Sequence, residues 1–386
     1  MLGTGGTFLR VLHINCNYTS SNLHQKLIDA LNKIGILNRV VIPRYYGAPS
    51  RTETNEEEKV LECFRKNDRF LFFLKQRKIN QAVKKAIDPE RFDIIHAYTL
   101  FTDGNCARNL SLEYGIPYVV AIRNTDVNAF FRWRILLRPR GVQIMKDASS
   151  VFFLSDAYRK TVFEKYIPKE LIGLISSKSK VIPNGIDEFW LKNRPNREVL
   201  ALRIKQIRSQ EIRLVYAGRI DKNKNIPTIQ QAACLLREKG YRVSLTVIGR
   251  VEDSSEYERI LSQPHTTVKE EQPKEQLINE YRDHSIFVMP SFHESFGLVY
   301  AEAISQGLPV VYSKGQGFDS QFEDGVVGYS ACSHSAEDVA RAILQIVEAY
   351  EEFPERCIEC AAVFNWACIA EEYNSVYHSI LLQLKP

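Results

Sequence analysis

The sequence predicts an α/β protein made of two doubly wound parallel-sheet domains. Three observations predict it. Short β-rich apolar runs alternate with longer helical stretches almost from end to end, the order expected when helices cover both faces of a parallel sheet. The runs are near-continuously apolar, as strands buried on both faces are. The pattern also pauses at Arg194-Pro195-Asn196-Arg197 and restarts, in a chain of 386 residues that has room for two domains.

In order, Phe8 to Ile14 reads as a first strand, and Leu23, Leu27, Ile28 and Leu31 recur at helical spacing. Val40-Val41-Ile42 is a short strand, and residues 60–87 read as a long basic helix. Phe92 to His96, Tyr118 to Ala121 and Val151 to Leu154 are further strands with helices between them. After the pause, strands are expected at 213–217, 244–248, 286–289 and 309–312, with helices at about 226–239, 274–282 and 298–306. The boundary falls near 185–200, giving domains 1–190 and 191–365 and a closing helix over 366–386. Two such domains facing one another leave a cleft lined by loops at the carboxyl ends of both sheets.

Composition narrows the class. At 45% hydrophobic and 25% charged the chain is globular rather than disordered, and its apolar runs are too short to span a membrane. Met1 to Thr7 lacks a basic start and an apolar core, so a secretory signal is not expected and a cytoplasmic protein is. The 8 cysteines are scattered, and Cys357-x-x-Cys360 with Cys368 reads as buried thiols on a helix rather than a zinc site. The net charge of +5 hides an asymmetry: residues 1–190 hold 29 Lys+Arg against 19 Asp+Glu, whereas the rest is net acidic. A basic half suits nucleic acid, anionic lipid or a phosphorylated ligand, or is simply a solvated surface; no nucleic-acid reader motif accompanies it.

The chemistry concentrates in Pro290 to Ala303. A strand ending at Met289 gives way to a loop with Glu294 and Gly297, then to a helix carrying Glu302 that stops at Gly307. A helix N-terminus after a strand offers free N–H groups and a favourable dipole to an anion, and Gly297 lets a diphosphate approach the main chain. Carboxylates accept hydrogen bonds from sugar and ribose hydroxyls, so two of them flanking a phosphate site suit a nucleotide-sugar. An exposed loop acid and an ordinary helix Glu would look the same. Arg219 follows a strand and Lys224 stands five residues later, so both cations can converge on one anion. A basic loop neutralised by Asp221 is the alternative.

Glu294 and Glu302, with seven residues between them that begin Ser295-Phe296-Gly297-Leu298, resemble the E-x7-E signature of retaining glycosyltransferases of family 4, which have the GT-B fold of two Rossmann-like domains. Val181 to Asp187 resembles the family's interdomain segment, and Gly218-Arg219 followed by Lys224 resembles its diphosphate clamp. Phe364-Asn365-Trp366 and the helix to Tyr377 resemble its closing helix. The resemblance implies Glu302 on the ribose, Glu294 on the donor sugar, and main-chain groups of Phe296, Gly297 and Leu298 at the sugar and diphosphate. It implies Gly249 in a glycine turn that Arg250 and Val251 alter, and a base-binding loop at Val268 to Pro273. It also implies a UDP- or GDP-linked donor, transfer with retention, no cofactor and no metal, since the chain has no Asp-x-Asp.

The first domain departs from that pattern. Asn17 to Asn22 contains no glycine where a Gly-Gly-x-Glu-like loop is usual, and Arg123 or Asn124 stands where a His is usual. Both can donate a hydrogen bond, but neither shuttles a proton near neutral pH. His96 is a further candidate, more simply read as structural. The run Phe130 to Arg140, with arginines at 132, 134, 138 and 140 around Trp133, suits an anionic membrane and a lipid-linked acceptor, or is an ordinary helix with snorkelling arginines. The expected function is transfer of a sugar from a nucleotide diphosphate to a glycan or lipid-linked saccharide in cell-surface polysaccharide synthesis, at the inner face of a membrane. A catalytically inactive nucleotide-sugar-binding protein, an epimerase and a phosphorylase are the alternatives.

Overall fold

Val11, Leu12 and Ile14 in the first strand have no solvent exposure, because helices cover both faces of the sheet to which they belong. The same holds for the central strands of a second sheet. The computed structural model describes residues 8–20, 22–49 and 56–384; Met1 to Thr7 and Ser21 of the loop after the first strand lie outside them.

The first sheet has seven strands: β1 (Arg10–Ile14), β2 (Leu37–Tyr45), β3 (Glu58–Phe64), β4 (Ile94–Ala97), β5 (Tyr118–Ile122), β6 (Ser150–Phe153) and β7 (Ser179–Val181). They pair in parallel in the order β3-β2-β1-β4-β5-β6-β7. The second has six: β8 (Glu211–Ala217), β9 (Arg242–Ile248), β10 (Thr266–Lys269), β11 (Ile286–Met289), β12 (Val310–Ser313) and β13 (Gly328–Ala331). Their order, β10-β9-β8-β11-β12-β13, is again all parallel. In each sheet the order reverses beside the first strand, at β1/β4 and at β8/β11. Loops that leave these neighbours diverge to opposite faces, which opens a crevice at the carboxyl ends.

The chain forms two compact units. One comprises the chain to Leu154, Tyr158–Asn184 and the segment from Trp366; the other comprises Ser155–Ala157 and Gly185–Asn365. The helix Trp366–Leu384 thus belongs to the first unit. Its Ile369, Ala370, Tyr373, Tyr377 and Ile380 pack into one core with Leu27, Ile28, Leu31 and Phe152. The division at Asn184 lies six residues before the boundary expected at 190.

Two expectations are corrected. Residues 60–87 are not one helix: Glu58–Phe64 is strand β3, a short turn follows at Lys66–Phe70, and the helix is Phe72–Ala86. Among the described residues β3 pairs only with β2, so one edge faces solvent and tolerates the charges that made it look helical. The buried Tyr18 hydroxyl donates to Glu58 Oε1 at 2.5 Å and ties that edge down. Residues 130–140 are not one helix either. A wide turn ends at Phe131, Ile135–Leu137 is a single tight turn, and the helix starts at Arg138 with Pro139 in its first turn. Arg134, at φ −99° and ψ 66°, breaks the run.

Candidate functional site

The residues singled out at 218–302 gather at the carboxyl ends of β8, β9 and β11 in the second unit. Gly218 and Gly249 end β8 and β9 side by side. The Gly218 N–H donates to the Ile248 carbonyl at 2.9 Å, and a Cβ on Gly249 would lie 1.7 Å from the Gly218 oxygen. No side chain fits there, so the two strand ends present bare backbone. Gly249 in turn donates to the Lys269 carbonyl at 3.0 Å, which brings the end of β10 and the loop toward Pro273 alongside.

Arg219 leaves β8 with its side chain half in solvent. Its guanidinium pairs with Glu252 Oε2 at 3.0 Å and lies 3.7 Å from Asp221. Arg250 pairs with the other oxygen of Glu252 at 2.5 Å. Arg250 therefore shares a carboxylate with Arg219, and sequence spacing gave no sign of Glu252.

Lys224 is more enclosed. Its Nζ lies 2.7 Å from Glu294 Oε2, and each side chain is only 12% exposed. Two loops are stitched together to hold this pair. Asp221 caps the turn by accepting from the Lys224 N–H at 3.1 Å. Asn223 donates to the His293 carbonyl and accepts from the His293 N–H, at 2.9 and 3.0 Å. Asn225 takes a left-handed conformation at φ 56° and donates to the Pro290 and Ser333 carbonyls.

Glu294 lies in the loop after β11, and Gly297 caps the helix Leu298–Ser305. Gly297 sits at φ +77°, and a Cβ there would come within 2.5 Å of the Tyr300 ring. Phe296 turns its side chain inward against Phe318 and Phe364, so only its main chain is available to a ligand. Leu298 opens the helix, where the first N–H groups lack intrahelical partners. Glu302 stands one turn further on, half-buried; burial pushes the nearby Tyr281 phenol far up, and the Glu302 charge adds to the shift. Two cations, an open helix start and two carboxylates thus sit on neighbouring strand ends. Such a site can neutralise a diphosphate and accept from hydroxyls.

In the first unit, loops after β1, β4 and β5 meet around Arg123. Its Nε donates to the Tyr98 carbonyl at 3.2 Å and its Nη1 to Asn184 Oδ1 at 3.3 Å. Asn124 accepts from Asn128. Asp126 accepts from the N–H groups of Leu100, Phe101 and Arg123, and burial still raises its carboxyl to about 6. Asp103 accepts from Cys16 and Thr99, and burial pushes it up to about 7. Sequence reasoning missed both acids, since neither sits in a motif. His96 is fully buried, stacks on Tyr98 and bonds Tyr377 of the closing helix at 2.6 Å, a structural placement. The expectation of three buried thiols on one helix is corrected: Cys357 is buried and Cys360 half-buried on the helix Phe353–Cys360, whereas Cys368 is exposed on the helix Trp366–Leu384, and no three metal-ligating side chains cluster among the described residues.

Residues 200–363 match the model of glycosyl transferases group 1, and residues 25–188 match that of glycosyltransferase family 4. A D-inositol 3-phosphate glycosyltransferase of Nocardiopsis dassonvillei is 24% identical over 315 residues, 76% of this chain and 71% of that protein. Its counterpart from Paenarthrobacter aurescens is 24% identical over 319 residues, 76% and 75% of the two chains. Among solved structures, sucrose-phosphate synthase from Thermosynechococcus elongatus superposes with a TM-score of 0.71 at 19% identity, over 97% of this chain and 100% of that one. Anabaena HepE with UDP and glucose gives 0.64 at 17%, over 96% and 100%.

Proposed function

The chain belongs to glycosyltransferase family 4, and on that premise we propose how its GT-B fold works. It is a glycosyltransferase that uses a nucleotide-sugar donor. In our reading the donor is a UDP- or GDP-linked hexose and transfer proceeds with retention. The acceptor is a glycan or lipid-linked saccharide of cell-surface polysaccharide synthesis, met at the inner face of a membrane.

The observation that carries the reading is the Lys224–Glu294 pair, 2.7 Å apart beside the helix that Gly297 opens. Lys224 and Arg219 would neutralise the departing diphosphate, whose charge grows as the glycosidic bond breaks, so they act more on the transition state than on the ground state. Glu294 would accept from donor-sugar hydroxyls and Glu302 from the ribose. Arg123 and Asn124 would donate hydrogen bonds to the reacting sugars. Metal-independence is supported by the missing Asp-x-Asp and by the cations that the chain itself supplies.

The test is release of nucleotide diphosphate from a panel of UDP- and GDP-sugars, with product anomers read by NMR and a parallel assay in excess EDTA. The expected outcome is one preferred donor, an anomer unchanged from the donor's, and activity that survives chelation. Lys224→Ala should lower kcat more than it weakens donor binding. An inverted product, or loss in EDTA with rescue by magnesium, would overturn those parts of the reading. Binding without release of nucleotide diphosphate would favour an inactive nucleotide-sugar binder.

A further inference from the structure

Two segments of the first unit turn large apolar side chains outward at one place. Before and within the first turn of the helix Phe72–Ala86, Phe70, Leu71 and Phe73 are 67, 59 and 70% exposed. In the broken segment ahead of Arg138, Trp133, Ile135 and Leu136 are 71, 61 and 94% exposed. The two meet, with the Phe72 and Phe130 rings 6.4 Å apart, and enclose an apolar groove of ≈ 760 Å³ lined by residues 70–74 and 133–137. Single exposed apolar residues are ordinary, but a contiguous patch of this kind marks an interface.

Charge decides the occupant. Residues 65–78 and 130–140 together carry ten Lys and Arg against a single acid, Asp68, which pairs with Lys78. The Arg132 guanidinium lies 5.0 Å from the Trp133 ring and that of Arg134 5.1 Å from Phe130, so cations stand beside the aromatic rim. A second copy of this chain docked symmetrically would oppose one cationic patch to another. An anionic bilayer meets both demands at once: its acyl region takes the aromatic and aliphatic tips, and its headgroups take the arginines.

We propose that the groove formed by residues 70–74 and 133–137 inserts its apolar rim into an anionic lipid bilayer, with Arg132 and Arg134 at the headgroups. The break at Arg134 is what the docking uses, since a continuous helix would not project Ile135 and Leu136 together. Arg140 is excluded from the surface, because it donates to Asn105 and Asn109 within the unit. The inference rests on the lipid-linked acceptor of the preceding reading only for its purpose.

The test is binding of the full chain to vesicles of phosphatidylcholine with phosphatidylglycerol, and of phosphatidylcholine alone, with no sugar nucleotide present. We expect at least tenfold tighter binding to the anionic vesicles, weakened by salt, and a blue shift of tryptophan emission that Trp133→Phe abolishes. Phe73→Ser with Leu136→Ser should lower binding at least tenfold even at low salt. Arg132→Gln with Arg134→Gln should weaken the salt dependence measurably. All five positions lie at or beside the surface groove, so thermal unfolding should stay close to wild type. Equal binding to both vesicles, no effect of the serine variant, or a dimer that the serine variant dissociates would overturn the proposal. Donor turnover on a water-soluble acceptor, measured without vesicles, stands or falls separately.

Discussion

At the residue scale, the Lys224–Glu294 pair joins stability to the proposed donor chemistry. Each side chain is largely removed from water, so loss of one partner leaves the other charge poorly compensated. Lys224→Met and Glu294→Gln should each destabilise the second unit by about 2–3 kcal/mol. The double variant should recover about 1–2 kcal/mol of their sum, which urea unfolding of all four proteins would measure. Additivity would show that the two groups do not interact in solution. Gly297→Ala forces φ +77° on a residue with a Cβ and drives that atom against Tyr300, so about 1–3 kcal/mol and most donor affinity should go together. Glu294, Gly297 and Glu302 were legible because a short local pattern holds them. Glu252 and Asn223 were not: they reach Arg219 and His293 across 33 and 70 residues of chain, and nothing local marks them.

At the scale of elements, the strands that escaped sequence reading have one thing in common. β3, β7, β10 and β13 are the four edges of the two sheets. An edge strand has one hydrogen-bonded neighbour and a half-solvated flank, so Glu62, Lys180, Thr267 and Ser330 are tolerated where a central strand would need Val or Ile. Interior strands were readable for the opposite reason. The closing helix was readable too, and its attachment leads to a prediction. Ile369, Tyr373, Tyr377 and Ile380 are buried in the core of the first unit, at about 1.5–3 kcal/mol for each large side chain. Their sum rivals the stability of about 5–15 kcal/mol typical of a domain. A chain ending at Asn365 should therefore lose protection from proteolysis across residues 8–154 while residues 185–365 stay resistant. Equal resistance of both units would show the helix to be dispensable.

At the scale of the whole molecule, buried groups of opposite sign set the response to acid. His13 and His24 are held neutral, pushed down by burial to about 4 and about 3, and burial holds His96 well below its ordinary value. Each contributes stability that is present above about pH 6.5 and is lost as pH falls toward the folded value. Asp103 and Asp126 run the other way, since their raised values of about 7 and about 6 favour the folded state below about pH 4 and lose that advantage as pH rises. Between about pH 4.5 and 6 three protons taken up on unfolding are opposed by two released. Stability should fall with acidification by only about 1.4 kcal/mol per pH unit from these groups, and Asp103→Asn should steepen it to about 2.8. Urea unfolding at pH 5 and 6 measures both slopes, and an unchanged slope would show that Asp103 is ionised in the folded protein. The return of the last helix to the first unit also has a consequence for biosynthesis. Apart from Ser155–Ala157, the second unit is one uninterrupted stretch of message and can fold as soon as it clears the ribosome. The first unit, although translated earlier, must wait with the Leu27–Leu31 face uncovered while residues 185–365 are made. At about 5–20 residues per second that wait lasts roughly ten to forty seconds, an interval in which a chaperone would find its binding face on the older half of the nascent chain.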